Sequence, residues 1–312
     1  MGKMPNSYRI MSFDGGGVYG LASAMALKNT ARHNPTLLSK IDLFAGSSTG
    51  ALIALGLASG YDIQTVIDMY RFRAREIFKK PRLLSRLFCA KYHERNLKSV
   101  IADMWEENIT LGDLDKQVFI PVFNLLNQPI WTTRFFHNIK EYRDDNPHLD
   151  TKIRDLAYWT CSAPTFFPSL DGYTDGGVNV NNPSLCALAK IDPINAHRGP
   201  ETELKNIKIL NLGTAVMRTH LNKSKKRDWG FIHWSTRMLD LFMAGAGNLV
   251  EYQCKKLLGD NYYRFVVSID PRKGKSKLDN VDELDNIYYM LEHQNVPGLR
   301  ELNSWVENTY LN

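Results

Sequence analysis

Gly46, Ser47, Ser48, Thr49 and Gly50 spell G-x-S-x-G within FAGSSTGAL. A serine in this pattern sits where a buried strand turns sharply into a helix, and small neighbours permit the cramped bend that exposes its hydroxyl. The helix N-terminus behind it offers unpaired N–H groups and a partial positive charge to a developing anion. The same letters also occur in chemically inert turns. Here IDLFAGSS reads as a strand before the turn and TGALIALGLAS as an apolar helix after it, so Ser48 is the candidate nucleophile.

A second glycine cluster, FDGGGVYG, places Gly15, Gly17 and Gly20 in G-x-G-x-x-G spacing. A dinucleotide-binding turn of that spacing needs an acidic residue about 20 positions on, closing the next strand. The next strand here ends in AGSS, and its only acid, Asp42, precedes it. The loop therefore reads as an oxyanion hole rather than a phosphate cradle. Glycines let the backbone turn its N–H groups inward and let a carbonyl approach without meeting a Cβ. Each such donor lowers an acyl-transfer barrier by roughly 2.7–4 kcal/mol.

The hydroxyl also needs a base. His197, His220, His233 and His293 lie downstream of Ser48, where a Ser-Asp-His order would place one, but none falls in a recognisable turn motif. The other candidate is Asp175 in YTDGGVNVNNP, a carboxylate on a glycine turn that can be aimed at a serine. Asp-Gly-Gly alone is an ordinary turn.

These residues need a frame. YRIMSFD, IDLFAGSS, VFIPVFNLL, IWTTRFFHN, IKILNLGTA and YYRFVVSID read as strands. Helical patterns cover LASAMALKNTARHN, TGALIALGLAS and IQTVIDMYRFRAREIF, with further helices at Ile153–Thr160, Pro183–Lys190, Ser235–Leu258, Asp282–Glu292 and Pro297–Glu307. Strands alternating with helices predict an α/β fold, a mainly parallel sheet covered on both faces. The 312 residues show no repeat or linker, and KEYRDDNPHLD reads as a surface loop, so residues 1–312 are expected to form a single domain.

With 44% hydrophobic residues and 11% aromatics the chain can bury a sizeable core, which excludes a disordered or fibrous class. Cys89, Cys161, Cys186 and Cys254 are widely spaced with no C-x-x-C pair, as in a reducing compartment. No signal-peptide core, myristoylation pattern or membrane-spanning run is visible, so a soluble cytoplasmic location is expected. The net charge of +6 favours phosphate-bearing partners without choosing among them.

Together SFDGGGVYG, AGSSTGAL, SAPTFFPS and TDGGVNVNNP resemble the patatin-like phospholipase family in order and spacing, as does Leu212-Gly213-Thr214. The resemblance covers nearly the whole chain. It implies a three-layer α/β/α sandwich, a Ser48–Asp175 dyad without a catalytic histidine, and an oxyanion hole from the N–H groups of Gly15, Gly16 and Gly17. The implied reaction is acyl-ester hydrolysis of membrane phospholipid through an acyl-serine, with no metal or cofactor. Relatives carry arginine or lysine, close to the lipid phosphate, where this chain has Tyr19. That departure bears on head-group preference. Some bacterial relatives are antiviral effectors switched on by cyclic nucleotides. A free phospholipase would attack its own cell, so gating by a lid, by homo-oligomerisation or by such an effector is expected.

Two stretches suit an anionic membrane surface. In KKPRLLSRLFCAKYHER, Leu83, Leu84, Leu87 and Phe88 fall on one helical face among Lys79, Lys80, Arg82, Arg86 and Lys91. In KSKKRDWGFIHW, Lys223, Lys225, Lys226 and Arg227 precede Trp229, Phe231 and Trp234. Packing on the domain's own core is the competing reading of each. No signature of a nucleic-acid-binding module accompanies the basic residues, so no nucleic-acid polymer is expected. The competing functional readings are an α/β-hydrolase esterase with a Ser-His-Asp triad and a non-catalytic module that holds lipid or nucleotide.

Overall fold

The computed structural model describes residues 7–79, 88–126, 130–140, 146–191, 203–217, 230, 234, 238–269 and 277–312. Its strands are β1 (Tyr8–Phe13), β2 (Leu43–Gly46), β3 (Gln117–Asn124), β4 (Thr132–His137), β5 (Tyr173–Asp175), β6 (Ile207–Leu212), β7 (Val216–Met217), β8 (Tyr262–Phe265) and β9 (Ser268–Ile269). The main sheet has seven strands in the order β4-β3-β2-β1-β6-β8, with β5 added on β3. Pairings from β3 through β8 along this order are parallel, and β4 and β5 pair with β3 antiparallel.

Alternation along each strand feeds two cores. Met11, Phe13, Phe44, Val118 and Leu210 point to one face and join the larger cluster. Ile10, Leu43, Phe119 and Ile209 point to the other, against Leu188 and the helix Met238–Leu258 through Cys254 and Leu258. Helices thus cover both faces, giving the expected α/β/α sandwich. The helix α2 (Thr49–Ala58) lies within the larger core with all its residues buried, which is why its sequence lacks a polar face.

The chain leaves β1 toward β2 and β3 on one side, while β6 and β8 extend the other. The reversal opens a crevice at the carboxyl ends of β1 and β6, where open α/β sheets hold their ligands. Gly15–Gly17 follows β1 into that crevice.

Two elements depart from the periodicity. The helix expected over Ile63–Phe78 is Ile63–Asp68, then a π-helical turn at Met69–Arg73, then Ala74–Ile77. Within the turn, buried Tyr70 reaches back to α2, bonding the Thr49 hydroxyl at 2.6 Å and donating to its carbonyl at 2.8 Å. The strand expected over YYRFVVSID splits, because β8 stays in the main sheet while β9 pairs with β7 in a separate ladder.

The first basic stretch lies outside the described residues over 80–87. Phe88–His93 is not helical; its backbone instead bonds Thr165 and Phe166, and the next helix starts at Glu94. The second stretch lies outside the described residues except for Gly230 and Trp234. Among the described residues no helix is long and apolar enough to cross a membrane.

Candidate active site

β2 and β5 meet end to end along one edge of β3. β2 pairs in parallel with Gln117–Phe119, and β5 pairs antiparallel with Val122–Asn124. β4 occupies the opposite edge of β3 from Phe119 to Asn124. The end of β2 and the end of β5 are therefore aimed at each other across Ile120 and Pro121. Ser48 lies two residues past β2, and Asp175 is the last residue of β5.

The gap is closed by α6 (Ile153–Cys161). Its Thr160 hydroxyl donates to the Pro121 carbonyl at 3.0 Å and accepts the Ser48 N–H at 3.1 Å. In a strand the N–H and C=O of a residue face the same edge, so a non-proline residue here would leave a donor pointing into the gap. Proline has no such donor.

Ser48 is held at φ 51° and ψ −123°, a left-handed conformation that costs a non-glycine residue about 1–3 kcal/mol. Its Oγ donates to Asp175 Oδ2 at 2.6 Å. The other oxygen, Oδ1, accepts the Gly177 N–H at 2.7 Å. Burial pushes the Asp175 carboxyl up to about 7, against the opposing pull of those two hydrogen bonds. A carboxyl poised there exchanges protons readily at neutral pH.

The two glycines of the serine motif act as spacers. A Cβ on Gly46 would fall 2.3 Å from the Gly50 carbonyl oxygen, and one on Gly50 would fall 2.3 Å from that of Phe13. The first turn of α2 thus rests directly on β1. Gly50→Ala must lift that turn, and we expect it to lose roughly 1–3 kcal/mol of stability together with its reactivity toward a fluorophosphonate probe. Thermal melting and probe labelling measure the two effects.

The loop Gly15–Gly17 is fixed at both ends. Gly15 donates its N–H to the Asn181 carbonyl at 3.0 Å, and Val18 donates to Leu278 at 2.8 Å. The N–H groups of Gly16 and Gly17 have no acceptor among the described residues. Gly17 has φ +58°, and a Cβ on it would collide with the Leu278 carbonyl at 2.1 Å. Beneath the loop, Asp14 is buried and accepts from Asn211 Nδ2 at 2.8 Å and from Arg264 at 2.6 Å. Arg264 also holds Glu251 at 3.0 Å. None of these anchors was singled out from the sequence. The available signal was Arg264 itself, a charge inside the apolar run YYRFVVSID.

A cleft opens over Ser48, Asp175, Gly16 and Gly17, walled by Phe166 and Met243 among others. A second arm runs from Ser48 between α2 and the π-helical turn, past Leu52, Met69 and Leu97. Apolar walls on both arms suit hydrocarbon chains.

Among the described residues no histidine lines either arm. His293 packs its ring on Tyr289, and His197, His220 and His233 lie outside the described residues. Tyr19 is buried in the larger core rather than presented to the cleft. Among the described residues no group of His, Cys, Asp and Glu is arranged to hold a metal.

A serine on a strained strand-to-helix turn, at the carboxyl end of a mainly parallel sheet with helices on both faces, defines the class as a serine hydrolase of α/β/α build. The profile of the patatin-like phospholipase family matches residues 11–187, and the chain belongs to that family of lipid acyl hydrolases. It is 26% identical to CotR of Bacillus subtilis over 97% of this chain and 98% of that protein. It is 33% identical to a cGAMP-activated phospholipase of Vibrio cholerae over 68% of this chain and 65% of that one. The crystal structure of VipD from Legionella pneumophila matches with a TM-score of 0.41 at 13% identity, covering 92% of this chain and 67% of that one.

Proposed function

We propose that residues 1–312 act as one catalytic unit that hydrolyses fatty-acyl esters of membrane phospholipids with Ser48 as nucleophile and Asp175 as its base. The observation that carries this reading is the 2.6 Å bond from Ser48 Oγ to Asp175 Oδ2 at the floor of an apolar cleft. Asp175 takes the Ser48 proton as Oγ attacks the ester carbonyl. The N–H groups of Gly16 and Gly17 hold the oxyanion; that of Gly15 is committed to Asn181, so the role narrows to two donors. Collapse of the tetrahedral species breaks the ester C–O bond, and protonated Asp175 gives its proton to the leaving alcohol. Water then attacks the acyl-serine, Asp175 accepts its proton, and fatty acid departs as Ser48 regains its hydrogen.

Similarity to cGAMP-activated phospholipases supports a cyclic-nucleotide switch and a role in antiviral defence. Contact with an anionic membrane follows from the substrate and the net charge of +6, and self-association is a second route to gating. The deciding experiment follows fatty-acid release from anionic vesicles by wild type and Ser48→Ala, with and without a panel of cyclic nucleotides. We expect release by wild type alone, stimulated by one member of the panel. Full activity with nothing added removes the switch. A wild-type protein that neither cleaves nor labels with a fluorophosphonate is a binding module.

A further inference from the structure

Four large apolar side chains stand in water close to the cleft. Phe88 is 90% exposed, Ile130 75%, Trp131 69% and Leu126 43%. Leu126, Ile130 and Trp131 belong to the connection between β3 and β4. β3 runs parallel to β1 and β2, so this connection leaves the sheet at the same end as Gly15–Gly17 and Ser48.

Hydrogen bonds tie it to the cleft wall. Leu125 donates its N–H to Gly172 at 2.8 Å, three residues before Asp175. Asn179 Nδ2 donates to Thr133 Oγ1 at 2.9 Å, and its neighbour Val178 lines the cleft. The segment that follows Phe88 reaches the cleft wall by another route. Lys91 and Tyr92, just beyond it, donate their N–H groups to Thr165 and Phe166, each at 2.8 Å, and Phe166 lines the cleft.

We propose that the β3–β4 tip, through Leu126, Ile130 and Trp131, together with Phe88, is the surface that seats this protein on a lipid bilayer. The proposal rests on the phospholipid reading above and deepens it. Exposed groups of this size, gathered at the end of the molecule where the cleft opens, mark an interaction face. Tryptophan and isoleucine at a tip suit the boundary between head groups and acyl chains. The charge agrees. Arg134 is exposed on β4 opposite Val122, near the tip, and the chain carries a net charge of +6, which favours anionic head groups. Docked in this way, the cleft opens toward the lipid, and a substrate chain passes from bilayer to Ser48 without crossing bulk water.

The test uses full-length protein carrying Ser48→Ala, so that vesicles stay intact, with Ile130→Ser and Trp131→Ser added together and Phe88→Ser added separately. Binding is read by co-sedimentation with vesicles of phosphatidylethanolamine and phosphatidylglycerol. We expect the double substitution to weaken partitioning roughly 10-fold or more and Phe88→Ser to weaken it severalfold. Melting temperatures should stay within about 2 °C, because the replaced groups are exposed. Unchanged partitioning overturns the proposal. So does light scattering that shows a dimer converted to monomer by the double substitution, since the face would then join two copies of the chain. Because no turnover is read, failure of the Ser48–Asp175 mechanism leaves this result standing.

Discussion

Asparagine at position 175 is expected to lower kcat on phospholipid on the order of 10⁴-fold, because an amide still accepts the Ser48 hydrogen bond but cannot take its proton. The wild-type enzyme should carry the same group in its pH profile. With the carboxyl at about 7, the ionised base is a minority species in acid. The rate should rise about tenfold per pH unit below that value and level off above it. Stability should run the other way. The folded state raises this carboxyl from its ordinary 3.8 to about 7, so it holds the proton more tightly than the unfolded chain does. Below about pH 4 both states are protonated and the site costs nothing. As pH rises to about 7 the cost grows to the order of 4 kcal/mol. Asp175→Asn should therefore melt near wild type at pH 4 and above it at pH 8. Rate profiles and thermal melts of the two proteins check both halves. An asparagine variant with near-normal turnover would hand the role of base to another group.

Replacing Arg264 with leucine is expected to cost about 3–5 kcal/mol, the largest stability loss we anticipate from one side chain. Asp14 is only 2% exposed, and without the guanidinium its carboxylate loses its charged partner while Glu251 loses the 3.0 Å contact beside it. Leucine supplies volume but no donor. The effect should reach the chemistry, because Asp14 begins the loop that presents the N–H groups of Gly16 and Gly17. In whatever fraction folds, kcat should fall more than KM rises. Arg264→Lys should recover part of the stability and less of the rate, since an ammonium lacks the planar fork that spans both acids. Urea melts and steady-state kinetics at one pH separate the two effects. A leucine variant that melts and turns over like wild type would show that Asn211 alone holds Asp14.

The glycine-bounded parts of the site were legible in the chain because their geometry excludes other residues. A Cβ on Gly46 or Gly50 would fall 2.3 Å from a carbonyl oxygen, and Gly17 combines a positive φ with a carbonyl 2.1 Å from where its Cβ would be. Such constraints leave letters in the sequence. The layered sheet was legible for a similar reason, since short apolar strands alternating with helices have few ways to pack. Hydrogen-bond commitments leave no letters. Nothing in DGGG says that Gly15 spends its N–H on Asn181 while its two neighbours do not. Thr160 acts on Ser48 from 112 residues away and Arg264 on Asp14 from 250, through side chains that belong to no motif. Met69–Arg73 continues a good helical pattern, so the sequence predicts no π-helical turn there, and the contact of Tyr70 with Thr49 inside that turn belongs to no local motif.

The end-to-end meeting of β2 and β5 on β3 has a consequence for the cell that makes this protein. Ser48 and Asp175 are separated by 127 positions and share no local turn, so neither can find the other until β3 is in place to align them. A growing chain that has emerged past Ser48 but not past Asp175 carries the proposed nucleophile without its proposed base. The same holds for a chain whose β5 has peeled away. If the two residues form the dyad proposed above, hydrolytic capacity waits for the second half of the chain to be made, and a chain cut between the two strands is expected to lack it.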